Sequence, residues 1–496
     1  MKELSIRQIQ AQMASGQLTS ELLVQSYLSR IEAFDPMVNA IIEINPDARS
    51  IARSLDQERS QGHVRGPMHG IPVLVKDNIE TSDKMQTTAG SLALEGHYAK
   101  QDAFIIAKLR QAGAIILGKT NLSEWANFRG HKSTSGWSSR GGLTRNPYYL
   151  DRSACGSSSG SAVSVAANFC SVAIGTETDG SIICPSQTSG IVGFKPTRGL
   201  LSRTGIIPVA LSQDMPGPMA RSVEDVAFTL EAMIGEDISD LATLDIADHV
   251  IPHFVNALDS RGLRGARIGI ARNMSGSNQQ DLQILDNAVS RLEKLGATVI
   301  DPIIVPHVGQ FSDAELKVLH FEFKDGLNRY LKGVPNHIDI RSIDDVISFN
   351  EKHRDRVMPY FGQEHMIDSR KKSDLGDQSY LNALAKSRLL AGEQGLRNAI
   401  EEHQLDAIVC LSGGKSWQID LFHGDSHPWD TMATSGAAVA GYPHITIPGG
   451  YIYGLPVGLS FIGLPWQDAK VIKYAYAMEQ RFPVRQPPEF LKSVED

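Results

Sequence analysis

The apolar positions change period along the chain, and each change marks an element. Over residues 20–33, Val24, Tyr27, Leu28 and Ile31 fall at i, i+3, i+4 and i+7, the spacing of one helix face. Residues 71–76 (IPVLVK) are apolar and rich in β-branched side chains, which predicts a strand ending at Lys76, with Asp77 and Asn78 opening a loop. Residues 102–111 predict a helix stopped by Ala112-Gly113, and Ala114–Leu117 the next strand. Strand, helix and strand in that order and spacing indicate an α/β fold. The pattern recurs as a strand over 267–271, a helix over 281–295 and a strand over 298–305. Residues 310–400 are mostly helical in pattern, with polar breaks such as Lys371-Lys372-Ser373-Asp374, and are expected to form a helical insertion over the core. Gly441–Pro448 and Gly454–Leu459 predict two short core strands with tight turns. No low-complexity linker or internal repeat divides the chain, so a single domain over 1–496 is expected.

Composition narrows the function. With 42% hydrophobic and 21% charged residues the chain is an ordinary globular one, not a disordered one. A net charge of −8 argues against nucleic acid as a partner, because phosphate binding needs a basic surface. No uninterrupted apolar run approaches the length of a membrane span, so no membrane association is expected. The N-terminal stretch has no apolar leader core, which points to the cytoplasm, or to a secreted or periplasmic location if a leader has been removed. Four cysteines (Cys155, Cys170, Cys184, Cys410) are too few for a disulfide framework in a chain this long. No paired Cys or His spacing suggests a metal.

The candidate chemistry gathers in Cys155–Pro185. A Gly/Ser cluster, Gly156–Ser161, is followed by an apolar Ala/Val run and a second cluster, Gly175–Ser181. Small residues let a substrate approach the backbone closely, and hydroxyls offer a nucleophile and a helper. Two flexible loops around a core helix would read the same way. Three motif matches fail on context. Gly113–Thr120 fits a phosphate loop, but its middle residues are themselves the predicted strand, so their N–H groups belong to a sheet. Gly156–Gly160 fits the nucleophile elbow centred on Ser158, yet no apolar strand precedes it. Ser412–Lys415 fits S-x-x-K without the companion motifs of that class. A serine nucleophile needs a base, and no histidine stands in a partner context. Lys76 could serve if strand-end burial keeps it neutral; a solvated lysine paired with Asp77 fits the sequence equally well.

These segments together resemble the amidase signature family. Its Gly/Ser block corresponds to Gly156–Ser161, its second block to Gly175–Pro185, and its Gly-Ile-Pro-x-x-x-Lys-Asp segment to Gly70–Asp77. Gly118–Asn121, Gly441–Pro443 and Gly454–Gly458 match further family segments, so the likeness spans nearly the whole chain. Within the family the nearest likeness is to bacterial peptide amidases, through Ser123–Gly130 and Thr176–Ser181. The resemblance implies an α/β fold with a large mixed, mostly parallel β-sheet flanked by helices on both faces. It also implies a Ser-Ser-Lys triad: Ser181 as nucleophile, Ser157 as the bridging serine beside a cis peptide bond, and Lys76 as base. The backbone N–H groups of Thr178, Asp179, Gly180 and Ser181 would form the oxyanion hole. No cofactor and no metal is implied.

Two positions depart from the family pattern. Ile183 replaces an arginine, which disfavours an acidic substrate. Asp179 replaces a small residue and could contact substrate N–H groups or make a structural hydrogen bond. Ser158, Asp179 and Trp429 are candidate substrate contacts. Residues 310–370 and 410–435 are expected to wall the pocket, with Phe321, Phe323, Tyr330 and Trp417 as further aromatic candidates. The expected function is release of ammonia from the C-terminal carboxamide of peptides. The rivals are an amidase of simple aliphatic or aryl amides, the glutaminase subunit of a tRNA-dependent amidotransferase, and a non-catalytic binding protein. The expected partner is a small-molecule or peptide amide, and the expected state a monomer or homodimer.

Overall fold

Eleven strands share one twisted sheet in the computed structural model, which describes residues 2–251, 253–426 and 433–494. Across the sheet they run Ile41–Ile44, Ile115–Thr120, Pro72–Lys76, Val172–Glu177, Met215–Ala220, Val192–Lys195, His444–Ile452, Leu455–Ile462, Ala407–Leu411, Arg267–Ala271 and Thr298–Ile303. The sheet is mixed. Pro72–Lys76 pairs in parallel with both its neighbours, and so does Arg267–Ala271. The pairs between these two blocks, and the edge strand Ile41–Ile44, are antiparallel. No helix among the described residues is long and apolar enough to cross a membrane.

The first parallel block positions the chemistry. Every residue of Pro72–Lys76 and of Val172–Glu177 is buried, as expected of strands covered on both faces. Val75 lies opposite Ile174, so both strands end at the same sheet edge and deliver Lys76 and Thr176 side by side. Carboxyl ends of parallel strands are where α/β sheets open a crevice.

Several predicted elements run longer than their apolar pattern. The helix expected over 20–33 spans Ser20–Val38, started by the Thr19 hydroxyl accepting from the Leu22 N–H at 3.1 Å and ended by Asn39 at φ 53°. The strand expected over 114–117 runs on through Gly118, Lys119 and Thr120. Lys119 stays buried because its ammonium donates to the Ile79 carbonyl at 2.6 Å and the Thr87 hydroxyl at 2.8 Å. Both contacts hold the side chain inside the protein, as a strand residue rather than part of an open loop. The two closing strands form a hairpin through Tyr453 and Gly454, both at positive φ, the geometry of a tight primed turn.

Residues 312–402 hold a series of helices, the longest being Ser312–Leu331 and Gln378–Arg388. They bury apolar clusters of their own, one around Phe323, Leu327 and Met366 and one around Phe321 and Tyr380. The Ala/Val run is not one element: the helix Ser159–Ala166 turns at Asn168, φ 59°, into the strand Val172–Glu177. The cysteine arithmetic also needs correction. Cys155 and Cys184 form a disulfide, with S–S 2.01 Å and Cα atoms 5.9 Å apart, while Cys170 and Cys410 are free and buried. Counting cysteines could not anticipate a single bridge, because only the fold brings these two Gly/Ser segments together.

Candidate active site

Lys76 ends its strand with no exposed surface, which removes the solvated alternative. Asp77 turns away from it, accepting from the Thr88 hydroxyl and from the Gly90 N–H at 3.1 Å. Four oxygens surround the Lys76 Nζ: Ser157 Oγ at 2.7 Å, Thr176 Oγ1 at 2.9 Å, Ser158 Oγ at 3.0 Å and the Thr176 carbonyl at 3.1 Å. Burial disfavours the ammonium and lowers its pKa to about 7, although the charges of Asp214 and Glu177 oppose that. Near neutral pH this amine therefore has a free electron pair beside a serine hydroxyl.

The two serine segments meet at the same point. The Gly156–Ser157 peptide bond is cis, and the Ser158 N–H donates to the Ser181 carbonyl at 3.2 Å. Ser157 has no exposed surface, whereas Ser181 keeps 7%. Ser158 is fully buried, and its hydroxyl donates to the Thr176 carbonyl at 3.0 Å and accepts from Lys76 and the Thr176 N–H. Its hydroxyl is thus spent inside the protein rather than presented to a substrate. The disulfide joins the residue before Gly156 to the helix Ile183–Thr188 that follows Ser181.

Backbone donors near Ser181 divide into two groups. The Glu177 carboxylate accepts from the N–H groups of Ile182 and Ile183 at 2.7 and 3.0 Å, and the Cys184 N–H donates to the Gly180 carbonyl at 2.8 Å. Among the described residues, the N–H groups of Thr178, Asp179, Gly180 and Ser181 donate to no protein acceptor. Gly180 sits at φ 73°, which lets the loop curl at Ser181 without a Cβ penalty. Thr178 and its neighbours are braced by Asp214, which accepts from the Thr178 hydroxyl at 2.6 Å and from the N–H groups of Val209 and Ala210.

A cavity of about 390 Å³ opens beside this point. Gly156 and Gly180, the residues immediately before the two serines, line it, with Asp179, Glu315, Trp417 and Asp425 among its walls. Three of its lining side chains are carboxylic and none is Lys, Arg or His among the described residues. Asp425 accepts from the Ser135 N–H at 3.1 Å and the Trp417 Nε1–H at 3.2 Å. Asp179 accepts from the Ser435 hydroxyl at 2.6 Å and contacts Glu315. A larger cavity of about 530 Å³ shares only Trp417 with this one. Neither Gly156 nor Gly180 lines it, so size does not make it the reactive site.

The expected wall segments supply Ser312 and Glu315 from one stretch and Trp417, Asp425, Thr434 and Ser435 from the other. Of the aromatic candidates, Trp417 lines the cavity. Phe321 packs on Tyr380, Phe323 on Phe128, and Tyr330 donates to Glu80 at 2.8 Å, all away from it. Trp429 lies outside the described residues. Glu315, Asp425 and Asp214 escape a reading of the sequence, since each stands in a segment with no local motif.

The amidase family profile matches residues 22–472. A probable amidase of Arabidopsis thaliana is 40% identical over 99% of this chain and 92% of its own length. The crystal structure of a peptide amidase from Stenotrophomonas maltophilia is 48% identical and covers 98% of this chain and 99% of its own, with a TM-score of 0.93. A glutamyl-tRNA(Gln) amidotransferase component of Symbiobacterium thermophilum is 33% identical over 94% of each chain.

Proposed function

This chain belongs to the amidase signature family of amide hydrolases, and from that premise we propose that it releases ammonia from the C-terminal carboxamide of peptides. In this reading neutral Lys76 takes a proton from Ser157, Ser157 takes one from Ser181, and the Ser181 Oγ attacks the carboxamide carbon. The oxyanion is received by the uncommitted N–H groups of Thr178–Ser181, each such donor being worth about 3 kcal/mol in comparable sites. The proton returns through Ser157 to the nitrogen, which leaves as ammonia. Water then attacks the acyl ester through the same relay and yields the free acid. The 2.7 Å contact between Lys76 and Ser157 supports the first transfer.

The acidic wall of the cavity carries the substrate reading. Asp179, Glu315 and Asp425 face the space next to the nucleophile, and Ile183 removes the family's arginine. A substrate with a carboxylate close to its amide, such as free glutamine, would meet repulsion, and among the described residues no Lys, Arg or His lines the cavity to offset it. A peptide amide has no such carboxylate, and its backbone N–H groups are donors that those carboxyl oxygens can accept. The 48% identity to a peptide amidase points the same way. Ammonia release decides it, measured on N-blocked dipeptide amides, free glutamine, simple aliphatic and aryl amides, and the matching free-acid peptides. The dipeptide amides should lead in kcat/KM; turnover of glutamine without turnover of dipeptide amides would overturn the reading.

A further inference from the structure

The wall of the cavity contains a pair of carboxyl groups that the relay does not use. Asp179 belongs to the oxyanion loop, and Glu315 projects from the first turn of the helix Ser312–Leu331, with 6% of its surface exposed. Their side chains are in hydrogen-bond contact. One oxygen of Asp179 accepts from the Ser435 hydroxyl, while the other, Oδ1, is buried and, among the described residues, receives no N–H or hydroxyl donor. One oxygen of Glu315 accepts from Gln213 Nε2 at 3.0 Å, and the same amide nitrogen donates to the Thr178 carbonyl at 3.2 Å. Two ionised carboxylates in this contact would repel, and a buried acceptor without a donor is costly. A single proton on Glu315, donated to Asp179 Oδ1, resolves both.

We propose that Glu315 is a positioning residue, which holds one proton shared with Asp179 and so ties the oxyanion loop to the helix Ser312–Leu331. The tie is double: Glu315 reaches Asp179 directly and Thr178 through Gln213, two successive residues whose N–H groups donate to no protein acceptor among the described residues. The assignment rests on the amide-hydrolase reading of the site but holds for whichever amide is turned over best, so its failure is separable from failure of the peptide reading.

The surroundings favour this protonation. Burial and the Asp179 charge push the Glu315 carboxyl well above the usual range. Burial raises the Asp179 carboxyl as well, while the Ser435 and Thr434 hydroxyls, the Glu315 side chain and the Lys195 charge act the other way. The other titratable groups near the pair are Glu177, at the end of the preceding strand, and Asp425 in the cavity wall. Lys195 itself is buried and lowered to about 8. Loss of that proton would leave two facing carboxylates, which would push the loop away from the helix.

The test compares Glu315→Gln and Glu315→Ala by their kcat on the best amide substrate. Glu315→Ala should lower kcat about 10- to 100-fold, the loss of a hydrogen bond to a charged group plus that of its neighbour. Glu315→Gln supplies an N–H donor to Asp179 without a titrating proton. It should recover most of that loss. Infrared spectroscopy supplies a readout independent of activity: the protonated-carboxyl stretch should lose one component in Glu315→Gln. Equal kcat in Glu315→Gln and Glu315→Ala, or an unaltered carboxyl stretch in Glu315→Gln, would each overturn the assignment.

Discussion

Lys76 is the residue whose chemistry depends most on its surroundings. An exposed lysine is protonated throughout the neutral range; here burial holds the pKa at about 7. The base must be neutral to accept the Ser157 proton, so kcat/KM should rise with pH and level off above about 7. Below that inflection it should fall about tenfold per pH unit. Lys76→Ala should abolish the inflection and cost at least about 10³-fold, within the range of general-base removal. A profile in wild type that is flat between pH 5 and pH 9 would contradict the role. Ser157 and Lys76 were both legible as candidates because family motifs surround them. Their relation was not, since strand-end lysines are usually solvated and only the parallel register with Val172–Glu177 turns this one inward. Ser158 shows the opposite case: it stands in the middle of the motif, yet its neighbours Lys76 and Thr176 consume its hydroxyl.

At the scale of elements, the loop Thr178–Ser181 and the disulfide make the site from two distant ends of one stretch. Gly180→Ala would put a Cβ 3.1 Å from the Thr434 hydroxyl at φ 73°. The left-handed conformation alone costs about 1–2 kcal/mol for a residue with a Cβ. If the loop relaxes instead, kcat should fall roughly tenfold for each 1.4 kcal/mol of lost oxyanion stabilisation. Steady-state kinetics and the melting temperature together locate the cost. The Cys155–Cys184 bridge spans 29 residues. Chain-entropy arguments assign a loop of that length about 3–4 kcal/mol. The double variant Cys155→Ser/Cys184→Ser should therefore melt several degrees lower. Unfolded wild-type protein should titrate two thiols before reduction and four after it, and four before reduction would contradict the bridge.

Across the whole molecule, local patterns carried much of the information. The strand–helix–strand periods located two of the three strands in each parallel block, and the apolar runs after Gly441 and Gly454 located the closing pair, because buried strands need continuous apolar runs. The antiparallel centre was not legible: Met215–Ala220 (MPGPMA) carries two prolines and a glycine and has no strand-like pattern of its own. Glu315 lies 136 positions from Asp179 in sequence and meets it only because the helix Ser312–Leu331 packs at the cavity. The acidic character of the pocket is likewise a property of the fold, assembled from segments that look ordinary singly.

The claim that joins these scales is that an acyl-enzyme on Ser181 forms from a peptide amide. Partitioning with hydroxylamine measures it. The amide and the methyl ester of one N-blocked dipeptide are each turned over with hydroxylamine present, and the ratio of peptide hydroxamate to free acid is determined. A common acyl-enzyme predicts the same ratio from both substrates and no product from either with Ser181→Ala. Different ratios, or turnover of the amide by Ser181→Ala at the wild-type rate, would contradict it.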